Sequence, residues 1–347
     1  MGLYEKIAGL QIRVESCRLD PLEKSTKGGW KRCTTLVRLA GGGCEGVGED
    51  VTYNNADHDR FQRRAGEIRL AGHYTLEEFS HRLDRLDVFT REPLFRRWAF
   101  ESAACDLALR QAGRSLAQAI DRTPRPVHYV ISLGLGDPPG TGPMDRVLKD
   151  YPSARFKVDL SPQWDGPLVK ILARTGRITT VDLKGHYHGD FEGPPANAAQ
   201  YGEVAEGLRE AWIEDPELND ETRPALEPFR DRITWDAILH SVADIVRLPF
   251  VPTAVNMKPS RFGFLSELLR AYEYCENRGI AMYGGGQFEI GAGRGQIQYL
   301  ASLFHPDGAN DVSPPAFNDS SLSQGLPESP LSPMPASTGF AWNDGTA

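Results

Sequence analysis

Between Val127 and Val312, short apolar runs alternate with stretches of helical spacing, and this alternation constrains the fold more than any other feature of the chain. The spacing predicts strands at Val127–Leu133, Ala154–Leu160, Ile178–Leu183, Ala211–Ile213, Ile233–Trp235, Ala254–Met257 and Ile280–Tyr283, with a weaker one near Asp311–Val312. Helical patterns lie between them, at Met144–Tyr151, Leu168–Thr175, Ala196–Glu210, Pro224–Arg230, Phe264–Arg278 and Gln296–Phe304. Strand alternating with helix implies a parallel sheet, and about eight such units in succession favour a closed (β/α) barrel over an open sheet.

The preceding residues read differently. Residues 1–125 form an α+β unit, with strands expected at Ile7–Val14 and Cys33–Leu39 and a polar loop between them carrying Lys24, Lys27, Gly28 and Gly29. Helices are expected at Thr75–Leu86 and Pro93–Ala112, the second closed by Gly113. The glycine-rich stretch Gly41–Gly48 lacks the Gly-Lys-Ser/Thr ending of a phosphate loop and opens no helix, so it reads as a hairpin turn. The chain therefore divides into an α+β capping domain (1–125), a barrel domain (126–317) and a Ser/Pro/Gly-rich tail (318–347) that completes the first domain.

Charge and cysteine usage narrow the partners. A net charge of −8 with no basic stripe argues against nucleic acid or an anionic membrane. No run approaches the ~18 apolar residues of a membrane span. Cys17, Cys33, Cys44, Cys105 and Cys275 are odd in number and scattered, which suggests reduced thiols in a cytoplasmic protein.

The chemistry-bearing residues stand at the ends of successive predicted strands, where (β/α) barrels build their active sites. They are Lys157 (FKVD), Asp182 (TTVDLK), Glu214 (WIEDP), Asp236 (ITWD) and Lys258 (VNMKPS). Burying an unpaired ammonium is expensive, so a strand lysine needs a carboxylate or a metal-bound anion beside it. Three carboxylates from consecutive strands supply the hard oxygen ligands that Mg²⁺ prefers, and the lysines flank them.

This set resembles the enolase superfamily, more narrowly the branch of muconate lactonizing enzyme, o-succinylbenzoate synthase and the dipeptide epimerases. The helix RRWAFESAACDLALRQAGRSL and the hairpin GVGEDVTYN are similar to that family's capping-domain motifs, and KPSRFG to its sixth-strand motif. The resemblance implies a (β/α)7β-type modified TIM barrel with an α+β N-terminal capping domain. It also implies Mg²⁺ on Asp182, Glu214 and Asp236, and Lys157 and Lys258 as acid–base residues. Arg155, Lys184, Gly285 and Gln287 then become candidate substrate contacts. The sequence departs from the family in placing Arg155 where a first lysine is usual, Lys184 where an Asn is usual and Ala237 where a Glu is common. The unusual loop Gly185–Gly189 carries His186 and His188, read as surface or substrate-contacting residues ahead of extra metal ligands.

The activity implied is removal of a proton α to a carboxylate of a small molecule, giving an enolate. Dehydration like that of o-succinylbenzoate synthase leads, with racemisation, epimerisation or cycloisomerisation as alternatives and a non-catalytic ligand-binding barrel as a third class. Arg155 is expected to lower the Lys157 pKa by like-charge repulsion. Loops at Asp20–Gly29 and Glu49–His58 are expected to close over the barrel mouth. Assembly into a homo-oligomer is compatible with the resemblance.

Overall fold

The computed structural model describes residues 1–26, 29–86, 93–188, 192–319 and 321–342. Lys27 and Gly28 of the first polar loop, Gly189 and the last five residues of the tail lie outside them. The N-terminal strands are β1 (Gln11–Val14), β2 (Ser16–Ser25), β3 (Lys31–Gly41), β4 (Cys44–Asp50) and β5 (Gly72–Thr75). β2, β3 and β4 form an antiparallel sheet in that order, and β1 pairs antiparallel with β5.

Two expectations fail here. Most of the Asp20–Gly29 "loop" is β2, an edge strand whose SCRLDPLEKS sequence has no buried position, so neither face could show in the hydropathy pattern. Charges and a proline are what an exposed edge tolerates, because Pro21 has no ladder hydrogen to give. The Glu49–His58 segment is likewise not an open lid. It contains the end of β4 and the start of the helix Asn55–Arg63, with Asn54 capping the Asp57 amide, and Glu49, Asp50, Asp57 and His58 are buried.

The hairpin turn expected within Gly41–Gly48 is confined to Gly42 and Gly43, both in left-handed conformations at φ +58° and +76°. Gly46 and Gly48 instead allow β4 to lie on the helix Pro93–Gln111. A β-carbon at Gly48 would stand 2.0 Å from Ala99 O and one at Gly46 2.3 Å from Ala103 O, distances no side chain survives. The helix turns Trp98, Ala99, Ala103 and Leu107 into the core.

The second half is built from β6 (Ile131–Leu133), β7 (Phe156–Asp159), β8 (Ile178–Asp182), β9 (Trp212–Glu214), β10 (Ile233–Thr234), β11 (Ala254–Met257) and β12 (Ala281–Gly284). β6 to β10 form one parallel sheet in sequence order, and β11 pairs parallel with β12. Single links join the two sheets. Asn256 N donates to Trp235 O at 3.0 Å, Gly285 bridges Asp311, and Asn310 bridges Tyr129. The strands thus follow one another around a common interior, but the hydrogen-bonded ladder is interrupted, and the eighth strand is reduced to bridge residues. Helix ends follow local chemistry. Asp165 caps the Leu168 amide at 2.9 Å and Gly176 closes that helix at φ +60°; Gly279 closes Leu265–Arg278 at φ +65°.

The tail returns to the N-terminal helices. Gly339 exchanges backbone bonds with Arg114 and Leu116, and Phe340 is buried between Trp98 and Tyr299. Among the described residues no helix is long and apolar enough to cross a membrane, and all five cysteines are free thiols.

Two further contacts position the mouth of the barrel. Glu49, at the end of β4, buries its carboxylate against the amides of Ile290 (2.9 Å), Gly291 (3.0 and 3.1 Å) and Gly293 (2.9 Å), at the start of the helix Ala292–Phe304. Arg32, fully buried, donates to Thr52 O, Val51 O, Gln287 O and Phe288 O at 2.6–3.2 Å.

Beneath the barrel, His305 is buried with Nδ1 2.7 Å from Asn310 Oδ1 and Nε2 3.3 Å from the Tyr272 hydroxyl. Burial takes its pKa from the ordinary 6.5 down to about 4, partly opposed by the Asn310 bond. An imidazole depressed in the fold contributes stability that is complete above about pH 6.5 and is lost as pH falls toward 4, where the unfolded chain binds the proton first. The loss approaches about 3 kcal/mol. Urea midpoints measured from pH 7 to pH 4 should fall, and His305→Gln should flatten that fall. An equal slope in both proteins removes this assignment.

Candidate active site

Register brings the acidic residues together. Asp159 of β7 lies beside Asp182 of β8, and Asp182 beside Glu214 of β9. Lys157 and Asp159 share a strand face because side chains alternate with a period of two. Their surroundings are dry: Lys157, Asp182, Glu214, Asp215, Asp236 and Lys258 are all 5 % exposed or less.

Asp159, Asp182, Glu214 and Asp236 each meet a cation. Lys157 Nζ binds Glu214 Oε2 closely and lies 3.4 Å from Asp182 Oδ2. Lys184 Nζ stands 3.1 Å from both Asp182 Oδ2 and Asp159 Oδ1. Lys258 Nζ is 2.7 Å from Asp236 Oδ2, and Arg261 Nε is 3.0 Å from Asp236 Oδ1. Neutral donors complete the set. Tyr283 Oη and Asn256 Nδ2 donate to Glu214 Oε1 at 2.6 and 2.8 Å, and Tyr187 Oη donates to Asp236 Oδ2 at 3.2 Å.

The electrostatics follow from these pairs. Burial alone would raise the Asp182 pKa, but Lys184 and Lys157 outweigh it and hold the carboxyl at about 2. Asp236 is likewise driven down by Arg261 and Lys258 against its burial. Asp215 goes the other way, pushed well up by burial and by Asp236, Asp182 and Glu214. It accepts from the backbone amides of Asp236 (2.8 Å) and Ala237 (2.9 Å), which fixes the turn that carries Asp236.

Lys157 corrects an expectation. Burial favours its neutral form, yet Glu214, Asp182 and Asp236 together hold its pKa well above the ordinary lysine value. Arg155 plays no part in this. It is exposed and lines a cavity of about 570 Å³ with Arg125, Glu210 and His305, at the end of the strands opposite the carboxylates. The reason is position along the strand: Arg155 precedes the first residue of β7, at the end where the chain enters the strand, whereas Lys157 and Asp159 lie farther along. Arg155 is therefore removed from the substrate-contact candidates.

The other predicted contacts do gather here. Lys184 bridges Asp159 and Asp182. Gly285 lies against Lys258, since a β-carbon there would be 2.6 Å from its Cε. Gln287 is buried; with its amide oxygen toward Arg261 it accepts at 3.2 and 3.3 Å, while its nitrogen donates to Tyr53 Oη at 2.9 Å. That chain, Tyr53–Gln287–Arg261–Asp236, links the N-terminal half to the site. The loop after β8 contributes Tyr187 instead of its histidines. His188 is exposed and pairs with Glu192, and His186 is partly buried beside Glu217. Arg261, Tyr187, Asn256, Tyr283 and Asp215 were not expected from the sequence. Arg261 and Asp215 stood inside the KPSR and WIEDP contexts, and the others gave no signal.

Three carboxylates on neighbouring strand ends are the right donor type for a hard divalent cation. As the side chains stand, no group of three or more His, Cys, Asp or Glu among the described residues is drawn close enough to hold one. The Lys157 ammonium bridges Asp182 and Glu214, and Lys258 and Arg261 pair with Asp236.

Comparison with known proteins places this arrangement. The family described as a domain of unknown function, DUF8230, matches with its C-terminal domain over residues 123–319 and its N-terminal domain over residues 5–119. The N-succinylamino acid racemase of Thermus thermophilus is 29 % identical over 322 residues, covering 84 % of this chain and 83 % of the racemase. The o-succinylbenzoate synthase of Bacillus subtilis is 28 % identical over 214 residues, covering 58 % of this chain and 55 % of the synthase. Solved members of the enolase superfamily share the fold. Among them, the dipeptide epimerase from Methylococcus capsulatus complexed with Mg ion has a TM-score of 0.64 at 20 % identity, covering 86 % of this chain and 89 % of that one.

Proposed function

Because the chain belongs to the DUF8230 family and to the muconate-lactonizing branch of the enolase superfamily, we propose that it removes the proton α to a carboxylate of a small-molecule substrate and releases product by dehydration, as an o-succinylbenzoate synthase does. The observation that supports this reading is the pair of buried lysines, Lys157 on β7 and Lys258 just after β11, on strands that flank those carrying Asp182, Glu214 and Asp236. A substrate carbon between them has a proton acceptor or donor on each face.

Asp182, Glu214 and Asp236 would hold Mg²⁺, which supplies positive charge for the substrate carboxylate as negative charge grows on it. The chain's own residues do the rest. Lys157 or Lys258, as the neutral amine, would take the α-proton on its Nζ, and the opposite lysine, as the ammonium, would donate a proton or stabilise the enolate charge. Asp215 holds the Asp236 turn in place, and Tyr283 and Asn256 orient Glu214. Gln287 and Lys184 are the polar contacts offered to the substrate, while Gly285 leaves Lys258 room to move.

Racemisation is the second reading. It is favoured by the 83 % of the Thermus racemase that the alignment spans, and by a base on each face. Incubating the protein with Mg²⁺ and panels of hydroxy acids, dipeptides and N-acyl amino acids in heavy water tests both. Deuterium should enter the α-position of recovered substrate in one class, with loss of water to an alkene in the first reading and inversion in the second. Saturable binding without exchange in any class would leave a non-catalytic barrel.

A further inference from the structure

We infer that Lys184 is a built-in competitor for the cation at Asp182, and that Asp159 is the acceptor onto which its ammonium withdraws when the cation binds. The inference rests on the reading of Asp182, Glu214 and Asp236 as cation ligands. It concerns what this chain does to that affinity.

The ammonium of Lys184 is equidistant from its carboxylates, 3.1 Å from Asp182 Oδ2 and 3.1 Å from Asp159 Oδ1. Asp182 is deep in the site, with its side chain 2 % exposed, whereas that of Asp159 is 37 % exposed. One partner is therefore the candidate ligand and the other lies at the rim. A short movement along this axis keeps the lysine paired while freeing Asp182 Oδ2, and the charge is never left alone in a dry site.

The backbone holds the lysine in this position. Lys184 has φ +53°, a left-handed conformation that side chains other than Asn, Asp and Gly adopt at a cost. Its amide donates to Asp182 Oδ1 at 3.0 Å, the next amide, Gly185, donates to Asp215 O at 2.8 Å, and a β-carbon at Gly193 would lie 2.0 Å from Lys184 O. The loop is thus fastened to β8 and β9 on both sides of the lysine, and only the flexible stem is free to shift. A like charge beside a cation's ligand weakens binding of that cation, and a carboxylate that draws the charge away restores it.

The test is calorimetric titration of the full chain with Mg²⁺, using the wild type, Lys184→Met, Lys184→Asn and Asp159→Asn. Methionine keeps the stem and removes the charge, while asparagine also suits the left-handed backbone, so a folded charge-free variant is available by two routes. Both should bind Mg²⁺ about tenfold tighter or more than wild type. Asp159→Asn should bind it several-fold more weakly, because the rim carboxylate that draws the ammonium away from Asp182 is then gone. Melting temperature with and without Mg²⁺ provides a second readout, with the larger rise in the Lys184 variants. Wild-type binding that neither Lys184 variant strengthens overturns the inference and leaves the cation reading intact. Tightening by Asn alone overturns it too, since relaxed backbone then explains the gain. No Mg²⁺ binding in any variant, the lysine-free ones included, overturns both.

Discussion

Alanine at Lys157 or at Lys258 should lower α-proton exchange by about 10²–10⁴-fold for the face that the missing amine served, equivalent to about 3–5 kcal/mol of barrier. The size follows from reach. A general base acts only on a proton within about 3 Å of it. In the dehydration reading one variant loses exchange outright, while the other keeps some exchange and fails to turn over. In the racemase reading each variant still exchanges one enantiomer and loses the other. Deuterium exchange on both enantiomers, with the variants in parallel, separates these patterns. Undiminished exchange and turnover in both variants would make the lysines structural.

Asp50→Ala should cost about 3–5 kcal/mol of folding stability. Asp50 is fully buried and takes Arg96 Nε at 2.8 Å and the Thr52 hydroxyl and amide at 2.7 and 3.1 Å, with His58 Nδ1 4.0 Å away. Burial would raise its pKa, but Arg96 and His58 reverse the direction, so the ionised form is the one the fold holds. Truncating it leaves the guanidinium of Arg96, itself buried over the Phe61 ring, without the Asp50 carboxylate and beside His58. The double variant Asp50→Ala, Arg96→Met should recover part of the loss, because the cost lies in the stranded charge more than in the missing contact. Urea denaturation of the single and double variants measures this. A single-variant loss below about 1 kcal/mol would contradict the account.

What the sequence could reveal tracks the length scale of the cause. The strands from Phe156 to Gly284 were legible because inward-facing apolar runs bounded by short helices leave a one-dimensional pattern. Lys157, Asp182, Glu214, Asp236 and Lys258 could be placed because each ends or follows such a run. β2 was illegible because an edge strand exposed on both faces has no hydropathy period. Adjacency of Arg155 to Lys157 in sequence does not become adjacency in space. Arg155 lies before β7 begins, and so at the other end of the barrel. Tyr187, Asn256 and Tyr283 had no linear signal, since their role depends on which carboxylate stands opposite across two or three strands.

Glu49 has a consequence for recombining such proteins. Exposed backbone amides at the start of a helix attract anions, and here a carboxylate carried by the hairpin of the other half already occupies them. A chimera that joined this barrel to a foreign N-terminal half would need an acidic side chain at the register of Glu49. Without one, the graft would leave the amides of Ile290, Gly291 and Gly293 open to an anion from solution.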